Sequence, residues 1–164
     1  METVVRIPDP IKSVNLKINP VDPNLTSEEL KDIGINRIKL EGFLNRSSDG
    51  EKLPFALTHD GIDVYFGGQL DHFFGKDELK KSNSEIERDR IERLHWIAPI
   101  ISGRTKLIGL HEMNNGRYRN YYAVKLNYLV VLERTGKGYS LITAYRTNWK
   151  GVQEKMQRIF NGLF

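Results

Sequence analysis

Four segments between residues 105 and 146 constrain this chain more than any other feature: "TKLIGLHE", "RYRNYYAV", "YLVVLER" and "YSLITAYR". Each is a short run rich in the β-branched and aromatic residues that favour strands. The third is apolar on both faces, which suits a central strand, and its link to the fourth, "TGKG", has the length of a tight hairpin turn. Residues 105–146 are therefore predicted to form a four-stranded antiparallel sheet.

Helical patterns flank it. "SEIERDRIERLHWIAPIIS" opens with Ser84 and Glu87 in a capping box, and Ile91, Leu94, Ala98 and Ile101 recur at helical spacing. Pro99 lacks a backbone donor and crowds the carbonyl of His95, so a kink or restart is predicted there. After the last strand, Trp149, Val152, Met156, Ile159 and Leu163 are spaced for one helical face. Residues 84–164 thus read as α+β, with helices preceding a four-stranded antiparallel sheet and a C-terminal helix.

Residues 1–83 read as an N-terminal extension of short strands and one short helix, acidic, with a structural or regulatory role. "IPDPIKSVNLKINPVDPN" carries four prolines around Val14-Leu16-Ile18, an edge-strand pattern. Thr26 and Glu29 form a capping box for a helix ending at Gly34, and "RIKLEGF" and "GIDVYFG" read as strands.

Composition narrows the class. The chain of 164 residues has no cysteine, which excludes disulfides, thiolate nucleophiles and cysteine metal sites. No apolar stretch approaches the ~20 residues needed to span a bilayer. Met-Glu-Thr lacks a secretory pattern, so the expected compartment is the cytoplasm, with no membrane partner. Charge is uneven: residues 1–85 hold 11 Lys/Arg against 15 Asp/Glu, whereas residues 86–164 hold 14 against 6. A polyanion partner for the basic part and chance clustering of solvated charges both account for that.

Candidate chemistry lies in the basic part. Arg88, Glu92 and His95 share one helix flank, where Glu92 is spaced to orient the imidazole. His95 is a candidate general base or acid there, or one member of a solvated flank. In "RYRNYYAVK", alternation places Arg117, Arg119, Tyr121 and Lys125 on one face. That face suits phosphate and base stacking, or is simply solvent-facing. On the last strand, alternation puts Tyr139, Leu141, Thr143 and Tyr145 on one face and Ser140, Ile142, Ala144 and Arg146 on the other. The four histidines show no HxxxH or HExxH spacing and the basic part has only scattered carboxylates, so no metal and no cofactor are expected. Histidine, arginine, lysine, tyrosine and threonine suit the attack of a ribose 2′-OH on its own 3′-phosphate, which needs a base, cations and an acid.

"RIERLHWIAPII", "RYRNYYAVKLNYLVVLE" and "YSLITAYR" followed by a basic helix resemble, in that order, the phage-associated nucleases grouped with barnase, EndoU, the tRNase colicins and RelE (the BECR fold). The likeness covers roughly residues 84–160. It implies helices before a four-stranded sheet whose exposed face holds the site, and metal-independent RNA cleavage in a toxin or phage-encoded effector. It assigns catalysis to His95, Arg119, Thr143 and Tyr145, and substrate contacts to Arg117, Tyr121, Lys125, Arg93 and Arg146. His111 is the candidate for the second histidine of EndoU-type sites. The implied partners are an RNA, tRNA or mRNA, and an inhibitor or antitoxin protein. The alternatives are a non-catalytic RNA- or protein-binding module on the same fold, or a phage or mobile-element accessory protein.

Overall fold

The computed structural model describes residues 2–67, 88–148 and 151–164. Among them are strands β1 (Thr3–Ile7), β2 (Ala56–Leu57), β3 (Asp63–Phe66), β4 (Ile108–Met113), β5 (Tyr118–Ala123), β6 (Tyr128–Thr135) and β7 (Gly138–Arg146). Helices α1 (Ser27–Leu40), α2 (Ile97–Ile101) and α3 (Val152–Ile159) accompany them. The strands form one curled sheet in the order β1-β4-β5-β6-β7-β3-β2. Every pairing is antiparallel except that of β3 with β7, which is parallel.

This overturns the predicted four-stranded antiparallel architecture. The meander β4 to β7 forms, but each of its edges is extended by strands from the first 67 residues. A bare edge leaves a row of backbone donors and acceptors without partners. Here β1 pairs with β4 along its whole length, and β3 pairs with the first half of β7. The result is a seven-stranded mixed sheet with few helices.

Both faces of the sheet are covered. One carries the main core, in which Leu110, Tyr121, Val130, Leu132, Tyr139 and Leu141 pack with Leu30 and Ile38 of α1 and Ile97, Ile100 and Ile101 of α2. The other carries a smaller core, in which Tyr122 and Leu129 pack with Met156 and Phe160 at α3. Each fully buried aliphatic or aromatic side chain contributes roughly 1.5–3 kcal/mol relative to exposure. The main core draws on both parts of the chain, including Ile7, Phe43, Val64 and Phe66 from the first. The predicted boundary at residues 83/84 lies outside the described residues.

Several local expectations change. The Val14-Leu16-Ile18 run is not a strand, and the arm is tied down instead by Val14 N–H to Arg104 O at 2.8 Å and Asn19 N–H to Glu92 O at 2.9 Å. The Thr26–Glu29 capping box is present, but the helix continues past Gly34, because Leu30, Gly34 and Ile38 recur every four residues on its buried face. "RIKLEGF" is consequently the end of α1 and its exit turn, and not a strand. Ser84 and Glu87 lie outside the described residues, as does Trp149. The helix break falls before Pro99: a 3-10 turn, Leu94–Trp96, leads into α2, and Pro99 sits in the first turn of α2, where no backbone donor is missed.

One irregularity resets the last strand. Val131 pairs with Thr143 and Leu132 with Leu141, leaving Ile142 as an extra residue. Such a bulge shifts the alternation by one. Tyr139 and Leu141 therefore face the main core, and Ala144 takes that side after the bulge. Thr143, paired with Val131, and Tyr145 turn toward the α3 side.

Candidate functional site

The turn between β2 and β3, Thr58-His59-Asp60-Gly61, is built by local hydrogen bonding. Thr58 N–H donates to Ile62 O at 2.8 Å, and Ile62 N–H donates to Thr58 Oγ1 at 2.9 Å. The Thr58 hydroxyl donates to Asp60 Oδ1 at 2.5 Å, and Gly61 takes the positive φ of +85° that closes the turn. His59 and Asp60 are thereby held against β5.

There they meet Arg119 and Tyr121, which lie two residues apart on the main-core face. Arg119 Nη1 and Nη2 donate to the two Asp60 oxygens at 2.8 and 2.7 Å. Nη1 also donates to Tyr121 Oη at 3.0 Å, and His59 Nδ1 lies 2.8 Å from the same oxygen. Glu112, cross-strand from Arg119, brings Oε2 to 3.4 Å from Arg119 Nε. The guanidinium also lies 4.7 Å from the ring centre of Tyr139, with Arg134 at 5.3 Å from that ring. The Tyr139 hydroxyl donates to Gly116 O at 3.0 Å in the β4–β5 turn.

The electrostatics follow from depth. Arg119 has only 7% of its side chain exposed, whereas His59, Glu112 and Asp60 at the rim keep 23%, 29% and 39%. Arg119 hydrogen bonds hold the Asp60 carboxyl well below the usual carboxylate range. Burial lowers the His59 pKa, with Asp60 opposing. Burial raises that of the Tyr121 phenol, with Arg119 opposing. A reachable imidazole and carboxylate therefore flank a deeper, fixed cation.

The residues expected from sequence are dispersed. Arg119 and Tyr121 are in this cluster, but Tyr121 is fully buried in the main core and presents no ring for base stacking. Thr143 and Tyr145 face the other side of the sheet. Arg117, just before β5, is exposed and turns its guanidinium to Glu133 Oε2 at 3.2 Å. Lys125 is exposed in the β5–β6 connection. His95 is on the 3-10 turn, with Nε2 bonded to Lys17 O at 2.5 Å. Glu92 does not orient it, because its Oε2 accepts from Val21 N–H at 3.0 Å. Next to His95, Trp96 packs on Tyr128, and Tyr128 stands four residues, roughly 13 Å, along β6 from the Arg119 partner Leu132.

Arg93 and Arg146 do converge, but on one another's surroundings. Arg93 is buried beneath the Trp96 ring, with Nη1 3.5 Å from Asp89, and Arg146 bonds the same carboxylate at 3.0 and 2.5 Å. His111 faces the α3 side, 3.5 Å from Glu2 and edge-on to Phe160.

Sequence reasoning missed His59, Asp60 and Glu112. "THDG" is a turn signature that delivers a histidine and an aspartate together, and "EMNNGRYR" is a hairpin whose register sets Glu112 opposite Arg119. Among the described residues, no group of three or more histidine or acidic side chains is placed to hold a metal, and no helix is long and apolar enough to cross a membrane. Comparison of the chain with protein-family models, curated proteins and solved structures found no match.

Proposed function

We propose that this protein is an endoribonuclease that cleaves RNA without a metal ion and leaves a 2′,3′-cyclic phosphate. The observation that carries the reading is the placement of Glu112 and His59 at the rim above the deeper Arg119, with Tyr121 and Tyr139 packed against its guanidinium. The charge of the second part of the chain, 14 Lys/Arg against 6 Asp/Glu in residues 86–164, suits the same polyanionic substrate class.

Each residue has a role in that reaction. The Glu112 carboxylate takes the 2′-OH proton as the new O2′–P bond forms. Protonated His59 gives the proton on Nε2 to the departing O5′, while Nδ1–H stays on Tyr121 Oη. Arg119 stabilises the charge that develops on phosphorus, from a site where little water screens it. Phosphate oxygens reach Arg119 by displacing the Asp60 carboxylate, since both groups suit the same two-pronged guanidinium geometry. The biological setting that fits is a cytoplasmic toxin or phage-encoded effector with tRNA or mRNA as substrate and an inhibitor protein as partner.

A second reading is a non-catalytic RNA- or protein-binding module. The two-pronged hold of Asp60 on Arg119 Nη1 and Nη2 favours it, because such a pair also serves as internal structure. Incubation with total RNA in EDTA, followed by end-group analysis, decides between them. Cyclic-phosphate fragments lost in His59→Ala establish cleavage; intact RNA, bound equally by wild type and variant, establishes the binding module.

A further inference from the structure

On the sheet face opposite Arg119, a cleft of about 360 Å³ opens between the loop of residues 46–52, β3 and the β6–β7 turn. Arg46, Lys52 and Lys137 line it, together with Glu51, Tyr65 and Ser140. Tyr65 and Ser140 are register partners, and their neighbours Val64, Phe66, Tyr139 and Leu141 face the main core, so this pair points away from it.

The cations are arranged at a cost. Arg46 and Lys52 are directly opposite in an antiparallel bridge, where like charges destabilise the pairing. Neither relieves the other through a carboxylate. Arg46 Nη1 donates to Gly50 O at 2.8 Å and Lys52 Nζ to Phe66 O at 3.3 Å, contacts that orient each side chain without neutralising it. Among the described residues, no ion pair engages either of them or Lys137. Three cations with one carboxylate, Glu51, leave the lining with a net positive charge. The hydroxyls of Tyr65 and Ser140 have no partner among the described residues, so donors and an aromatic ring are both available.

We infer that this cleft binds a nucleotide unit, its phosphate held by Arg46, Lys52 and Lys137 and its ring system against Tyr65. Charge-assisted contacts to phosphate supply the affinity, and the ring surface accepts any base. The unit belongs either to an oligonucleotide backbone or to a free nucleotide, and the same cations serve both. This inference stands whether or not the Arg119 cluster cleaves RNA.

The test uses the full chain and two probes: a fluorescent deoxyadenylate hexamer, which lacks the 2′-OH and is not cut by 2′-OH attack, and adenosine 5′-diphosphate. At low salt the hexamer or the diphosphate binds. The double variant Lys52→Ala/Lys137→Ala weakens that binding roughly tenfold or more, and Glu51→Gln tightens it. Tighter binding of the hexamer identifies a strand as the source, and equal or tighter binding of the diphosphate identifies a free nucleotide. Both lysines are exposed, and the lost Lys52–Phe66 hydrogen bond is offset by relief of the Arg46–Lys52 repulsion, so the variant stays folded with a cooperative melt. Failure of both probes to bind, or equal affinity in wild type and double variant, overturns the inference. Cleavage of a dinucleotide RNA by the double variant at the wild-type rate separates this cleft from the catalytic proposal.

Discussion

Asp60 holds Arg119 by both of its carboxylate oxygens, at 2.8 and 2.7 Å, joining the β2–β3 turn to the middle of the meander. The pair links two parts of the chain that sequence reading treats as separate, and it occupies the guanidinium edge that a phosphate would use.

Asp60 is consequently expected to have a pH signature. Its folded pKa lies below the unfolded value of ~3.9, so its contribution is fully present above about pH 4 and is lost as pH falls toward the folded pKa. Asp60→Asn should be less stable than wild type at pH 7, and the difference should shrink below pH 4. Denaturant titrations at pH 7 and pH 3 check this; a constant difference at both refutes it. In the cleavage reading, the same variant binds RNA more tightly.

For catalysis, His59→Ala and Glu112→Gln should each lower turnover by roughly 10²–10⁴-fold while leaving RNA affinity near wild type. With His59 required protonated and its pKa lowered by burial, the rate should peak on the acid side of ~6.5 and fall as pH rises. A maximum above pH 7.5 contradicts His59 as the acid.

His95→Ala should leave cleavage unchanged. Its Nε2 is engaged by the Lys17 carbonyl, so the variant should instead lose roughly 0.5–1.5 kcal/mol of stability. A hundredfold loss of turnover in this variant returns catalysis to the 3-10 turn.

Gly138→Ala should be destabilised by about 2–4 kcal/mol. A Cβ there would collide with the Asp63 carbonyl oxygen on β3, and the φ of +154° suits glycine. Thermal melting measures it, and a wild-type melting temperature contradicts the close approach of β3 to β7.

A fragment beginning at Ser82 should fail to fold. It lacks β1, β3 and the core residues Ile7, Leu30, Ile38, Phe43, Val64 and Phe66, leaving both edges of the meander bare. A cooperative melt for this fragment refutes the shared core.

Local pattern alone determined the meander strands, the Thr26–Glu29 helix start and the amphipathic α3, because each depends on residues within one or two turns of one another. Alternation along β5 likewise put Arg119 and Tyr121 on one side. It could not say which side was buried, since that depends on α1 and α2 packing there. The β7 bulge sent Thr143 and Tyr145 to the far face, and a single unpaired residue leaves no mark on period-two reading. His59 and Asp60 reach Arg119 across a sequence separation of 59 or more residues. The parallel pairing of β3 with β7 helps carry that turn to the site, and long-range pairing of this kind is decided by burial and edge closure in the folded chain.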